Sequence, residues 1–598
     1  MIGQQEGLLC AGSLDEIREK GCLVVSGERH GIAVFYHEGR VYAVDNRCPH
    51  MGFPLSKGSL RCGILTCHWH HARFDLESGG TFDPFADDVR VYPTTIEDGR
   101  VWIDPRAGAG DRINKSLARL QDGLEQNLGL VTIKAVLALL ENGVPARKLL
   151  ETGASFGARY RAAGWGPGLT ILTAMGNVVD LLAPEEQALA LYHGLVHVAA
   201  DNDGQPPRFD RDPLSTRDVS LDRLKTWFRQ FVEVRDSEGA ERVVRTAIDN
   251  GHTPAEVADL FLAASTDHYF LNGGHTVDFL NKAFELLDRS GWDQASTVLP
   301  SLIGGLCRAQ RSEENNAWRH PIDLVALLEP VLERLPSLLE RSTHADSTWS
   351  GFGSLVDTLL GDEPAAIVDA MIAAFDDGAR VVDLSGALAY AAALRAARFH
   401  TSNEFGDWIT VLHTFSYANA LHQCLKRSPS AEAARGIFHG AMRLYLDRFL
   451  NVPAARLPSQ NGAAQDHGKA AGPEGLLTDL VALLDREQQV NPAGALVYRY
   501  LAQGLPDNRL IQTLGHTLLR EDAEFHSYQM FEAGVQQYRE LKATRPREAP
   551  YVLVGVARYL AAHSPTPRSM LQTAKIALRL HRGEDLTADD DPSDSESA

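Results

Sequence analysis

The sequence predicts a multidomain chain, a small all-β domain followed by a large all-α domain. Three observations carry that expectation. The chain has 598 residues, enough for two to four domains of ~100–200 residues. Its apolar segments are short and β-branched or aromatic before residue 106, and Ala/Leu-rich with helical spacing from Leu117 to about Leu580. Between the two lies Pro105-Arg-Ala-Gly-Ala-Gly-Asp111, a linker by composition. The expected organisation is a β-domain over 1–106, a linker over 107–116 and an all-α domain over 117–582. Within the α domain, 453–474 reads as a disordered loop, and 583–598 as a disordered acidic tail.

The strands expected in order are Cys22-Leu-Val-Val-Ser, Ile32-Ala-Val-Phe-Tyr, Val41-Tyr-Ala-Val, Val89-Arg-Val-Tyr and Val101-Trp-Ile, with turns such as Glu38-Gly39 and Asp98-Gly99 between them. Ala183-Pro-Glu-Glu-Gln187 starts a helix, with proline early in the first turn and acids facing the positive end of the dipole. The stretches 255–271, 275–290, 384–399, 407–426, 431–450 and 508–541 also read as helices.

A net charge of −20 argues against a chain-wide nucleic-acid or anionic-membrane surface. About a third of that charge sits in the tail, where residues 583–598 carry seven acids and no base. There is no run of 18 apolar residues and no secretory leader, so the expected location is cytoplasmic. Seven scattered cysteines do not make a disulfide framework.

The chemistry concentrates in Cys48-Pro49-His50 and Cys67-His68-Trp69-His70. Two short loops each offer one thiolate and one imidazole, which suits a [2Fe–2S] unit with sulfur ligands on one iron and nitrogen ligands on the other. A Cys2His2 zinc finger would instead place its histidines together on a helix. Cys48-Pro-His50-Met-Gly52 and Trp69-His70-His-Ala-Arg-Phe74-Asp75-Leu-Glu-Ser-Gly79 resemble the cluster loops of the Rieske family, in its ferredoxin and ring-hydroxylating oxygenase branch. The resemblance spans about residues 8–104 and implies a β-sandwich with Cys48, His50, Cys67 and His70 as ligands. Phe53 and Trp69 stand where respiratory members carry a bracing disulfide, and Ala72 and Phe74 where those members carry hydroxyl donors to the sulfurs. Fewer donors imply a potential near the low end of the Rieske range, about −150 mV. Two departures from the family pattern are His71, in place of a glycine, and Asp83-Pro84, in place of Gly-Pro.

The oxygenase signature His-x-x-x-x-His does not occur after residue 106. Other histidines are the candidates for a second metal. His193 and His197 share one helix face at i and i+4. His268 and His275 flank Gly273-Gly274, a break able to turn both towards one point. His413, and His516 with His526 on one expected helix beside Glu521 and Glu524, rank lower. The paired-histidine helix and Thr410-Val-Leu-His413-Thr-Phe resemble questin oxidase-like proteins, which implies oxygen-dependent aromatic ring cleavage at a non-haem iron. No ligand is carried over from that family.

The expected function is therefore an oxidoreductase. A [2Fe–2S] cluster would deliver electrons to a helical domain holding a mononuclear non-haem iron, with His193, His197, His268 and His275 as its candidate ligands. The expected partners are a flavoprotein reductase or ferredoxin as donor and an aromatic or polyketide-like small molecule as substrate, with no nucleic acid and no membrane. The alternative is an electron-transfer or redox-sensing module fused to a helical interaction scaffold.

Overall fold

The computed structural model describes residues 8–27, 31–105, 112–216, 219–343, 349–459, 472–582 and 584. Ten short strands form the N-terminal domain: β1 Leu9–Ser13, β2 Cys22–Ser26, β3 Gly31–His37, β4 Arg40–Asp45, β5 Ser59–Arg61, β6 Ile64–Thr66, β7 Arg73–Asp75, β8 Val91–Tyr92, β9 Thr94–Glu97 and β10 Arg100–Ile103. They make three antiparallel sheets in the orders β1-β10-β9, β2-β3-β4-β8 and β5-β6-β7. All five expected strands are present, the fourth shortened from 89–92 to Val91–Tyr92.

Successive side chains of a strand point to opposite faces, and β3 is covered on both. Ala33 and Phe35 join a core with Val44, Leu55, Leu65, Phe74 and Leu76, while Ile32 and Val34 join a second core with Ile17, Ala43, Val101 and Ile103. The sheet β5-β6-β7 closes the first core and carries the loop 67–72 between β6 and β7. Gly79 ends the turn after β7 with φ +76°, and a Cβ there would lie 2.1 Å from the Val89 carbonyl oxygen. Only glycine fits that approach.

The chain divides into two compact units, 1–145 with 569–598, and 146–568. The unit holding the β-domain is thus larger than the expected 1–106. Helices Arg112–Glu125, Gly129–Glu141 and Ser569–Arg582 belong to it, because they supply charged contacts to its loops and pack on one another. Helix begins at Arg112, so 112–116 is not linker, and 107–111 lies outside the described residues. In the expected disordered loop, 453–459 is irregular but anchored by the Ala455 N–H on the Arg398 carbonyl at 2.7 Å. Helix Pro473–Leu484 starts within that loop, and 460–471 lies outside the described residues. Of the acidic tail, only Glu584 is described.

The second unit is helical throughout. Pro184–Asn202 opens with Pro184 and two acids in its first turn, as expected. Pro254–Ser265 starts at a capping box between Thr253 and Glu256. The expected helix 508–541 is instead two, Asp507–Leu519 and Phe525–Thr544. Glu524 caps the second by accepting from the His526 N–H, and the Asp522 N–H turns out to the Pro567 carbonyl. His516 and His526 therefore do not share a helix, and His516 pairs with Glu186 at 2.7 Å. Among the described residues no helix is long and apolar enough to cross a membrane.

At the centre of this unit, Lys282 on His275–Ser290 is 1% exposed. Its ammonium donates to Glu285 and to Glu532 on Phe525–Thr544, both at 2.7 Å. Asn177 donates to the same two carboxylates at 2.8 and 2.9 Å. Burial opposes the lysine's charge, but Glu285 and Glu532 hold its pKa above the ordinary value. Removing one partner from such a site leaves uncompensated buried charge. Lys282→Met is expected to cost about 3–5 kcal/mol in urea unfolding, and adding Glu532→Gln should recover part of that loss. A Lys282→Met variant as stable as the native protein contradicts this account.

Candidate metal centres

In the first unit, the stretch 46–54 after β4 and the loop 67–72 bring Cys48, His50, Cys67 and His70 together. The Cys48 and Cys67 side chains are buried and hydrogen-bonded to each other. The N–H groups of His50 and Met51 donate to the Cys48 sulfur, and those of Trp69 and His70 to the Cys67 sulfur. Both loops are held by short backbone bonds, Cys48 N–H to Phe53 O and Cys67 N–H to Ala72 O, each 2.8 Å. The imidazoles of His50 and His70 meet edge to face with centroids 4.9 Å apart, and Phe85 lies 5.0 Å from His50.

His50 Nδ1 is buried with no hydrogen-bond partner. Burial, then the neighbouring His70 and Lys134, draw the His50 pKa down to about 4, which leaves a neutral ring with a free lone pair. The contact between the sulfurs pushes Cys48 up and draws Cys67 down to about 6. Two thiols, two imidazoles and an orphaned ring nitrogen fit the donor set of a two-histidine [2Fe–2S] cluster, so these four residues could hold one. The other five cysteines are free thiols.

The departures noted in the sequence have local causes. His71 has φ +61° and is exposed, so the backbone there is in the region glycine prefers. Asp83 accepts from the Arg73 N–H at 2.7 Å and from its guanidinium at 2.7 and 3.1 Å, tying the covering turn to β7. Ala72 and Phe74 are fully buried and offer the sulfurs no donor side chain.

In the second unit, His275, His413 and His526 each aim one ring nitrogen at a common point, all within 4.8 Å of one another. They come from the helices His275–Ser290, Phe405–Arg427 and Phe525–Thr544. His413 Nε2 and His526 Nε2 are 2.9 Å apart. Two nitrogens bound to one ion at about 2.1 Å and at right angles stand roughly 3 Å apart, so this spacing suits two cis ligands. The ring pairs His275–His413 and His413–His526 have centroids 4.5 and 4.8 Å apart.

His526 Nδ1 lies 2.7 Å from Glu524 Oε2, which fixes the tautomer with its proton on Nδ1 and turns Nε2 towards the other rings. Burial raises the Glu524 carboxyl, but His526 overcomes this and holds it below the usual range. Burial draws His275 to about 4 and His413 to about 3, so both are neutral and able to ligate at pH 7. Gly274, at φ +97°, allows the approach. A Cβ there would lie 2.9 Å from the Phe270 ring, 3.2 Å from Tyr417 Cβ and 3.3 Å from the His413 carbonyl oxygen. Phe279 and Phe525 pack against His275 at 5.1 and 5.9 Å. One turn along the two helices from His275 and His526, Gln529 donates to the buried Asp278.

Of the four histidines expected at a second metal, only His275 belongs to this triad. His193 Nδ1 lies 2.7 Å from the Tyr528 hydroxyl, and His197 faces the same tyrosine at 5.6 Å. Their Nε2 atoms are buried without a partner. Among the described residues, no third histidine, cysteine or acid completes a ligand group with them. His268 is engaged at both nitrogens, by Glu313 at 2.6 Å and Glu233 at 2.7 Å. The break at Gly273-Gly274, where Asn272, Gly273 and Gly274 have left-handed backbone, leaves His268 between its two carboxylates while His275 faces His413. His413 and His526, secondary candidates by sequence, are the two that the structure groups with His275. Their partners lie 113 or more positions away in sequence, a separation no local spacing reveals.

This geometry is that of a Rieske-type iron–sulfur domain, and the Rieske [2Fe–2S] domain family matches residues 8–93. Through that segment the chain belongs to the family, whose domain carries a [2Fe–2S] cluster and transfers electrons. It is 36% identical over 95 residues to the ferredoxin component of the naphthalene 1,2-dioxygenase system of Pseudomonas putida, covering 16% of this chain and 91% of that one. With the ferredoxin component of the p-cumate 2,3-dioxygenase system of Pseudomonas putida it shares 33% over 99 residues, 16% of this chain and 82% of that one. Among solved structures, the Sphingomonas yanoikuyae B1 ferredoxin is 31% identical, covering 16% of this chain and 96% of that one, with a TM-score of 0.15.

The buried imidazoles make the metal-free second unit acid-labile. His193, His197, His275, His413 and His439 are drawn by burial to between about 3 and about 4, whereas the unfolded chain titrates them near 6.5. The unfolded state therefore takes up more protons between those values, and stability present above pH 6.5 is lost as pH falls towards 4. At pH 5 this amounts to about 2 kcal/mol for one such group. Asp278, pushed up to about 7 by burial, works the other way, as do Asp201, Asp447 and Glu532, raised by burial, and His268, raised by Glu313 and Glu233. Thermal melts followed by circular dichroism should show a falling midpoint from pH 6.5 to pH 4.5. A constant midpoint across that range contradicts it.

Proposed function

We propose that this chain is an oxidoreductase in which a Rieske cluster held by Cys48, His50, Cys67 and His70 delivers electrons to a mononuclear iron held by His275, His413 and His526. The observation that carries the reading is the second donor set: three imidazoles from three helices, two of them with nitrogens 2.9 Å apart. When bound, the cluster supplies one-electron transfer and a three-histidine iron with open positions supplies dioxygen activation. The protein's own part is positional. Glu524 fixes the His526 tautomer, and burial keeps His275 and His413 unprotonated. Phe279 and Phe525 give the site an aromatic wall, which supports an aromatic or polyketide-like substrate. A flavoprotein reductase or small ferredoxin supplies the electrons. This agrees with relatives that are ferredoxin components of dioxygenase systems. The alternative, a redox module on an interaction scaffold, needs no second metal.

Iron counting separates the two. The purified chain should contain three irons, falling to one in Cys48→Ser and to two in His413→Ala or His526→Ala. His193→Ala with His197→Ala should keep three. Two irons in the native chain, with no loss in the His413 and His526 variants, would establish the scaffold reading instead.

A further inference from the structure

We propose that the helices following the β-domain tune the Rieske cluster, through a charged clamp of Lys134, Asp87 and Arg119 that grips both sides of His50. This rests on the assignment of Cys48, His50, Cys67 and His70 as ligands. Lys134, on Gly129–Glu141, donates to the Pro49 carbonyl, in the peptide between Cys48 and His50, and forms an ion pair with Asp87. Arg119, on Arg112–Glu125, reaches the same carboxylate from the other side, with Nε 3.0 Å from Asp87 Oδ1. Its Nη2 donates to the carbonyls of Pro84 at 3.0 Å and Ala86 at 2.6 Å. Phe85, between those two, is the ring that lies 5.0 Å from His50.

The clamp therefore fixes the peptide before one imidazole ligand and the aromatic ring packed on it. Arg47 adds a third tie, donating to the Leu580 carbonyl at 3.0 Å near the end of Ser569–Arg582. The side chains of Lys134 and Arg119 are only 15% and 17% exposed, so their charges are poorly screened. A ferredoxin such as the Pseudomonas putida naphthalene relative, 91% of which aligns with 95 residues of this chain, has no room for these helices.

Reduction adds one negative charge to the cluster. A cation beside its loop favours the reduced state, and a carboxylate opposes it. Lys134 and Asp87 then act with opposite signs, which a purely structural role would not produce. In Lys134→Met the carboxylate of Asp87 keeps only Arg119 as its counter-charge, so the midpoint falls. In Asp87→Asn the two cations lose their counter-charge, so it rises. Each change is expected to shift the reduced-to-oxidised ratio at fixed mediator potential by about tenfold, which is ~59 mV for a one-electron couple. Lys134→Arg keeps the charge and should stay near the native value.

The test is a redox titration of the full-length native protein and these variants, followed by EPR and visible absorption, with iron counted in each sample. Opposite shifts in the two neutralising variants, with the cluster spectrum intact, support the clamp. Shifts of the same sign, or none, overturn it while leaving the ligand assignment standing. A native chain without the spectrum of a two-histidine [2Fe–2S] cluster overturns both. If Lys134→Met does not retain its cluster, Lys134→Arg against Asp87→Asn decides the matter: the first unmoved and the second raised supports the clamp, and equal midpoints overturn it.

Discussion

A charge taken out of water must be met by another, and the places where this chain buries charge decide what its two units are. Asp87 is held as a carboxylate against the cost of burial by Lys134 and Arg119. Those two cations come from helices that a β-domain alone would not possess. Their pairing with Asp87 ties those helices to the β-domain within the compact unit that runs to residue 145. The cluster loops inherit their positions from that arrangement, because Pro49, Pro84 and Ala86 lend their carbonyls to the same two cations.

The second unit follows the same constraint with the opposite sign. Lys282 is a buried ion there: Glu285 flanks it on its own helix, and Glu532 links His275–Ser290 to Phe525–Thr544. His275 sits seven residues before Lys282, and His526 six residues before Glu532. The ion pair thus sets the alignment of the two helices that deliver two of the three imidazoles. Asp278 with Gln529 forms the intermediate layer. Burying so many polar groups along one seam is unfavourable unless each is paired, and here the pairs run between helices and specify one packing.

How much of this could be read from the chain follows from where each interaction lies in sequence. The β-domain was legible because strand pairs such as β3 and β4 are neighbours, and because the cluster loops keep their ligands within two or three residues of each other. Strands β5, β6 and β7 escaped, being three residues each and too short to show alternation. The helix break at 520–524 escaped because it depends on Pro567 accepting the Asp522 N–H, a contact made far along the chain. His193 and His197 drew attention because i, i+4 spacing is visible locally. Their helix instead turns them to Tyr528, and the metal-competent group assembles from single histidines on three helices.

The three-histidine group also bears on whether the helical unit is only a scaffold. A scaffold helix gains stability by satisfying its polar groups, as His268 does between two carboxylates and His422 does between Ser385 and Glu540. His413 and His526 are placed differently. Glu524 claims the Nδ1 proton of His526, leaving its Nε2 as a bare acceptor, and the nitrogen facing it belongs to a second imidazole that burial keeps uncharged. A third imidazole then closes on the same point with its own pKa lowered. One shared proton can bridge at most one pair of those nitrogens. A single cation satisfies all three. That convergence of three imidazoles from three helices is the observation on which the proposed second metal rests.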